Sequence, residues 1–285
     1  MNRVFGVFLV AAFMLIALAG CQKTKQEGTA APAQTSTQAE AATPAARIGL
    51  TVVADLVPHT ELLEFVKPQL ATQGIDLTVI SYGDVTNGNA QTSAGEFDAN
   101  FFQHEPYLQS VVKEMGYDLV NAGNIHVEPI GAYSEKFRTK EELPDTATIA
   151  IPNDATNEFR ALTILAENGF LRLKENTDIY ATTALDVAEY LKPITLVEMD
   201  SAAILRVRDQ FDAYITNTNK VLEAGIDTQT VLFREGRDSP YANILVVKPS
   251  RLNDPAIKAL YHALTSEEVR QFITERYKGA VIPAF

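Results

Sequence analysis

The chain has 285 residues, with 24 Lys and Arg against 36 Asp and Glu, a net charge of -12 and one Cys. This acidic balance argues against a nucleic-acid-binding protein, because phosphate binding needs a basic surface. The 46% of hydrophobic residues excludes disorder of the whole chain, and one Cys cannot form an internal disulfide or a Cys-built metal site.

The first residues are typical of a secretion signal. Arg3 is followed by an almost unbroken apolar run at 4–18, which is too short for a comfortable membrane span. Leu18-Ala19-Gly20-Cys21 resembles the bacterial lipobox, in which cleavage precedes a Cys that carries lipid. We therefore predict a signal peptide at 1–20 and an extracytoplasmic protein anchored to a membrane of the cell envelope by lipid on Cys21. An ordinary signal peptide with an incidental Cys is the alternative.

A tether is predicted at 21–46, after the signal. Residues 22–46 are rich in Ala, Thr, Gln and Pro and contain no large apolar side chain, so they cannot bury enough surface to fold.

The folded body begins near Arg47 with alternating strand and helix patterns. A strand at 48–53, a helix at 61–73 and a strand at 77–80 form the unit that builds parallel sheets, although Pro68 predicts a kink or a split in the helix. The body is therefore α/β, and its length suits two lobes. Further strands are predicted at 147–151, 196–198, 213–215 and 244–247, and further helices at 158–168, 184–190, 202–210 and 257–277, the last broken near Thr265.

No enzyme motif is found in the chain, whether a G-x-S-x-G elbow, a Walker loop, a G-x-G-x-x-G fingerprint or an H-E-x-x-H helix. We therefore predict no catalytic residues and no cofactor. The four His (His59, His104, His126 and His262) fit no local metal-ligand spacing, so we predict no metal site, with a metal-importer component as an alternative.

Two Asn-rich turns follow apolar strands, at 153–157 and 216–219. Ligands of open α/β sheets bind at the carboxyl ends of strands, and an Asn side chain both donates and accepts hydrogen bonds, as the two ends of a zwitterion require. Arg160 lies on the opening turn of a predicted helix and can hold a carboxylate by two hydrogen bonds. Helix caps and turn formers are the alternative interpretation of these Asn residues.

An aromatic segment lies at 97–108, with four Phe or Tyr rings. These rings predict either an apolar slot for a ligand side chain or a buried edge of the core.

Together these segments resemble the NlpA-type methionine-binding lipoproteins, the substrate-binding components of methionine ABC importers. The resemblance rests on Asp98-Ala99-Asn100, Phe102-Gln103-His104 and Pro106-Tyr107; on Pro152-Asn153-Asp154, Thr156-Asn157 and Arg160-Ala161-Leu162; and on Asp238-Ser239-Pro240-Tyr241 with Asn243-Ile244.

The resemblance implies a two-lobed, periplasmic-binding-protein-like fold with a hinge and an interlobe ligand cleft. Lobe I would comprise 47–128 and 245–285 and lobe II 129–244, with the hinge near 127–133 and 241–247. Phe102, His104 and Tyr107 would surround a methionine side chain, Arg160 would bind its carboxylate, and Asn157, Asn217 and Asn243 would contact its polar groups. The implied partners are a free amino acid, an ABC permease with its ATPase and the membrane, and the protein would act as a monomer.

The sequence departs from the family pattern around Asn217 and again at Val85, and the second departure leaves the ligand open. Thr218 and Lys220 stand where the family usually has Gly and Tyr, and Val85 stands where many members have a ring that lines the side-chain slot. Tyr82 is predicted to point elsewhere. D-methionine, methionine sulfoxide, a methionine-containing dipeptide or another apolar amino acid are therefore alternatives to methionine, and an adhesin or interaction lipoprotein without transport is the alternative function.

Overall fold

The computed structural model describes residues 47–84, 87–236 and 239–285. The predicted signal peptide, Cys21, the tether up to residue 46, Val85 and Asp238 lie outside the described residues. Within the described ranges, no helix combines the length and the apolar character that a membrane crossing requires.

Thirteen strands and eight α-helices occur in the described ranges. The strands are β1 (Ile48–Ala54), β2 (Ile75–Ser81), β3 (Ala99–His104), β4 (Val120–Val127), β5 (Gly131–Tyr133), β6 (Thr148–Pro152), β7 (Leu171–Leu173), β8 (Val187–Tyr190), β9 (Thr195–Met199), β10 (Ala213–Thr216), β11 (Phe233–Arg234), β12 (Ala242–Val247) and β13 (Ile282–Pro283). The helices are α1 (Glu61–Thr72), α2 (Gly88–Ala94), α3 (Glu105–Met115), α4 (Ala155–Glu167), α5 (Ser201–Arg206), α6 (Thr218–Glu223), α7 (Pro255–Leu264) and α8 (Glu267–Tyr277).

A six-stranded sheet contains both ends of the described chain, in the order β13-β4-β12-β3-β1-β2. β1 pairs in parallel with β2, from Ile48 opposite Ile75, which confirms the predicted strand-helix-strand unit. β1 is also parallel to β3, whereas β12 is antiparallel to both β3 and β4. Its core is closed by apolar faces of α1, α7 and α8, and a fully buried Leu or Ile there contributes about 1.5–3 kcal/mol.

A five-stranded sheet is formed by the middle of the chain, in the order β11-β5-β10-β6-β9. β6 is parallel to β9 and β10, and β5 is antiparallel to β10 and β11. The buried side chains of α4 pack against it in a second core that includes Leu162, Leu165 and Phe170.

The chain crosses between these two sheets twice, once before and once after the residues that form the five-stranded sheet. It leaves the six-stranded sheet after Val127 and enters the other at Gly131, and it leaves that sheet after Arg234 and returns at Ala242. The predicted boundary at 244/245 falls inside β12, and the lobe limits and the hinge stay predictions. The described residues form these two large sheets and a small third one, β7-β8. This mixed α/β fold agrees with the predicted fold class.

Three local predictions differ from the structure. α1 runs unbroken through Pro68, so the helix is not split; Pro68 is exposed, and water can satisfy the carbonyl that the proline leaves free. The helix predicted at 184–190 is wrong: after one 3-10 turn these residues form β8, which pairs with β7. α4 begins at Ala155 rather than 158, because Asp154 caps it. The break predicted near Thr265 is confirmed.

Candidate ligand-binding site

A cavity of about 220 Å³ lies where the ends of β3, β6, β10 and β12 approach one another. It is smaller than the roughly 300–1,000 Å³ typical of drug-sized ligands, so it suits a small molecule. All seven residues predicted from the sequence line it, namely Phe102, His104, Tyr107, Asn157, Arg160, Asn217 and Asn243.

The aromatic segment serves both of the roles considered for it. β3 alternates, so Phe101 is fully buried in the core while Phe102 lines the cavity. The strand ends at His104, whose Nδ1 accepts the backbone N–H of Tyr107 at 3.1 Å and so caps α3. This cap places Tyr107 at the cavity wall on the first turn of the helix.

His104 is a neutral, fully buried hydrogen-bond donor. Because Nδ1 accepts the Tyr107 N–H, the proton lies on Nε2, which donates to Oδ1 of Asn157 at 3.0 Å. Burial, reinforced by the nearby positive charge of Arg160, lowers the pKa of His104 to about 3. The imidazole therefore stays uncharged at neutral pH.

Three N–H donors converge on Oδ1 of Asn157. Besides His104, Arg160 donates from Nη1 at 3.2 Å and Asn217 from Nδ2 at 2.9 Å. The amide is held in this orientation because its Nδ2 donates to both carboxylate oxygens of Asp154 at 3.0 Å. An amide oxygen has two lone pairs, so three donors exceed what it can fully satisfy. A ligand carboxylate placed here would accept hydrogen bonds that Asn157 alone cannot.

Arg160 is 2% exposed and is fixed on three sides. Its Nε and Nη2 form a two-pronged ion pair with Glu235 at 2.8 and 2.7 Å, and Nη2 also donates to the backbone oxygen of Glu128 at 2.8 Å. The guanidinium carbon lies 4.3 Å from the centre of the Tyr241 ring. Only the Nη1 end therefore remains to meet a ligand, so the two-pronged carboxylate contact expected from the sequence is already occupied by Glu235.

The two remaining predicted Asn residues are also anchored. Asn217 precedes α6 and accepts the Ser201 hydroxyl at 3.0 Å. Asn243 lies on β12 between β3 and β4, and its Oδ1 is 3.0 Å from Nε2 of His59.

Tyr82 was predicted to point elsewhere, and this prediction is wrong. Its ring lines the cavity, with its centre 4.4 Å from that of Phe102. A Cβ at Gly88 would lie 2.9 Å from Phe102 and 3.0 Å from Tyr82, so the glycine permits this pairing. The sequence signal was the combination of an aromatic residue with a nearby glycine.

Several residues that line the cavity were not predicted from the sequence, because their hydrogen-bond partners are distant in the chain. Lys220, which departs from the family pattern, donates to Asp55 at 2.9 Å, and Asn219 donates to the same carboxylate oxygen at 2.7 Å. Glu128 was not predicted either, although an acidic side chain between the apolar residues Val127 and Ile130 is an unusual feature of the sequence. These contacts join residues of the two sheets across the cavity.

Glu128, which lines the cavity, forms a buried trio with His59 and His126. One nitrogen or oxygen atom from each of the three side chains, of the kind that can bind a metal, lies within 4.8 Å of the others. Glu128 Oε1 is 2.7 Å from Nε2 of His126 and 3.6 Å from that of His59. Metal-bound imidazoles donate their second N–H to a partner, yet both Nδ1 atoms are buried without one among the described residues. The trio is therefore better described as a hydrogen-bonded cluster than as a set of metal ligands.

Comparison with known proteins gives a consistent family. The model of the NlpA lipoprotein family matches residues 50–285. The chain is 38% identical to the membrane lipoprotein TpN32 of Treponema pallidum, over 83% of this chain and 88% of the relative. It is 32% identical to the methionine-binding lipoprotein MetQ of Bacillus subtilis, over 82% and 87%.

A solved structure has the same fold. The nutrient binding protein from Burkholderia cenocepacia bound to methionine superposes with a TM-score of 0.79 at 38% identity, over 83% of this chain and 100% of that one. With a family match that covers the whole folded body, the chain belongs to the NlpA lipoprotein family.

Proposed function

We propose that this protein is a lipid-anchored substrate-binding protein that captures methionine, or a close analogue, and delivers it to an ABC importer. The observation that carries the proposal is the convergence of three N–H donors on Asn157 beside a wall of aromatic rings. A carboxylate requires such donors, and a thioether packs well on rings. The names of the relatives and the methionine in the Burkholderia protein support the same ligand.

The ligand would bridge the two sheets of the protein. Phe102, His104 and Asn243 come from the six-stranded sheet, whereas Asn157 and Arg160 follow β6 of the other sheet. A ligand that contacts both sides favours a closed form over an open one, and closure would follow from that difference in contacts. The His104–Asn157 bond already spans the cavity, so opening requires it to break.

Lipid on Cys21 would hold the protein at the membrane, and a permease with a separate ATPase would accept the ligand. These partners rest on the family and on the lipobox. The protein itself would carry out no catalysis and would act as a monomer.

Thermal unfolding with added amino acids tests the proposal. Methionine at 100 times its Kd should raise the free energy of unfolding by about 2.7 kcal/mol. Absence of stabilisation by methionine, its analogues or other apolar amino acids would contradict the proposal and favour the adhesin alternative. Loss of bound metal to a chelator, without an amino-acid effect, would instead favour a metal-importer component.

A further inference from the structure

Binding a zwitterion requires an acceptor for its ammonium group as well as donors for its carboxylate. The predicted site supplies three amides, but the oxygen of each is already engaged. Asn157 Oδ1 receives three donors, Asn217 Oδ1 accepts from Ser201, and Asn243 Oδ1 accepts from His59. Each of these uncharged oxygens already accepts a hydrogen bond, so the three amides offer an ammonium ion less than a carboxylate would.

Four carboxylates line the cavity, those of Asp55, Glu128, Asp154 and Asp200. Asp154 accepts N–H groups of Asn157 at the start of α4, and Asp200 accepts backbone N–H groups at the start of α5, so both serve as helix caps. Arg160 is paired with Glu235, and Lys220 is paired with Asp55 at 2.9 Å. Glu128 also lines the cavity and is 4% exposed, but its ion-pair contacts within the described ranges are His59 and His126 alone.

Those two histidines are neutral partners. Burial lowers the pKa of His59 to about 4 and that of His126 to about 3, so neither supplies a positive charge at neutral pH. Burial also raises the pKa of Glu128 above its usual value. A buried carboxylate without a cation is costly to maintain, and it becomes favourable when a ligand supplies the missing charge.

Glu128 is held in position for this role. Its Oε1 accepts Nε2–H of His126 at 2.7 Å, and its Oε2 accepts the backbone N–H of Asn219 at 2.8 Å. Each oxygen retains a further lone pair. The backbone oxygen of the same residue accepts from Arg160, so the two charged subsites meet at one residue, as the α-amino and α-carboxylate groups of an amino acid meet at one carbon.

We propose that Glu128, positioned by His126 and Asn219, binds the ammonium group of the ligand and selects free α-amino acids against N-blocked or deaminated analogues. The inference rests on the proposed function, and it separates the ligand alternatives. A dipeptide with methionine at its carboxyl end carries an amide nitrogen where Glu128 requires an ammonium group, so it is excluded if its carboxylate lies at Arg160.

The test compares methionine with 4-(methylsulfanyl)butanoate, which differs from it only by lacking the amino group. Both are titrated calorimetrically into the full chain, purified in detergent and freed of bound small molecules. The wild type should bind the deaminated compound at least about 30-fold more weakly, as expected for loss of one member of a buried charge pair. In Glu128→Gln, methionine affinity should fall while that of the deaminated compound does not, so that the two converge to within about threefold.

Glu158→Gln is the matched control, because Glu158 is also a buried carboxyl, 3% exposed, but lies outside the cavity lining. It should keep the wild-type ratio of affinities. If Glu128→Gln does not give the wild-type circular dichroism, Glu128→Asp replaces it; this variant withdraws the charge by one methylene and should lower the ratio by about tenfold.

The outcomes separate the two proposals. The role of Glu128 is overturned if the Glu128 variant keeps the wild-type ratio of affinities for methionine and the deaminated compound. It is also overturned if the wild type binds both compounds equally well. In either case methionine binding itself stands. No binding of methionine by the wild type overturns the proposed function and this inference together.

Discussion

The ion pair between Arg160 and Glu235 gives a test that separates folding from ligand binding. Both side chains are buried, at 2% and 10% exposure, and Arg160 holds Glu235 through two hydrogen bonds. Arg160→Met leaves the carboxylate without its cation, so we expect the free energy of unfolding to fall by about 3–5 kcal/mol. Adding Glu235→Gln removes the stranded charge and should restore about 1–3 kcal/mol of that loss.

Ligand affinity should respond differently to the same variants. Arg160→Met removes a charge-assisted hydrogen bond worth about 1.5–3 kcal/mol, so methionine should bind about 10- to 150-fold more weakly. The double variant should remain as weak although its stability recovers. Glu235→Gln alone keeps the guanidinium beside Asn157 and should bind within about threefold of the wild type.

The assays are urea unfolding and titration calorimetry on all three variants and the wild type. The surface pair Arg276–Glu61 is the matched control, because it has the same two-pronged geometry at 57% and 29% exposure. Arg276→Met with Glu61→Gln should change stability by about 0–1 kcal/mol and leave affinity unchanged. Wild-type affinity in the Arg160 double variant would refute carboxylate binding by Arg160, and a double variant no more stable than Arg160→Met would refute the stranded-charge argument.

Three further predictions concern packing and pH. Gly88→Ala would place a methyl group against the rings of Phe102 and Tyr82 and weaken methionine binding about tenfold. Gly49→Ala is the control, because nothing lies within 4 Å of a Cβ at that position. Equal methionine affinity of the two variants would contradict binding of the ligand side chain against these rings. Burial raises the pKa of Glu158 to about 7, so the contribution of this side chain to stability should be lost as pH rises from about 4.5 to 7. Glu158→Gln should therefore gain about 1–3 kcal/mol in the free energy of unfolding relative to the wild type over that window, and parallel pH profiles of the two proteins would argue against it. The three buried histidines of the site and its wall stay neutral when folded, with pKa values of about 4, 3 and 3, but ionise below about 6.5 when unfolded. Each histidine should therefore lower the free energy of unfolding by up to about 2 kcal/mol as pH falls from 7 to 5. Urea unfolding that shows no such loss would mean that these side chains are already protonated or exposed in the folded protein.

Local sequence signals predicted the elements that hold the site. The β1–α1–β2 unit and the polar turn before α4 follow from patterns confined to a few residues. The prediction failed at 184–190, where helix-forming residues were overridden by pairing of β8 with β7. Leu185 is 85% exposed there, so no apolar helix face could be buried.

The missed cavity residues depend on contacts between distant segments. Tyr82 reaches Phe102 only because Gly88 lacks a side chain, and Glu128 meets Asn219 across 91 residues of sequence. A glycine six residues after Tyr82 and an acid at position 128 are visible in the sequence, but neither shows which distant side chain it meets. The family resemblance predicted seven residues that do line one cavity. It did not predict that Glu235 already accepts hydrogen bonds from Nε and Nη2 of Arg160.

A crystal structure of the protein grown with methionine tests the central claim most directly. We expect the carboxylate within hydrogen-bond distance of Arg160 Nη1, the ammonium group at Glu128, and the thioether against Tyr82 and Phe102. A cavity left empty at saturating methionine, or a ligand bound with its ammonium group toward Arg160, would contradict the account.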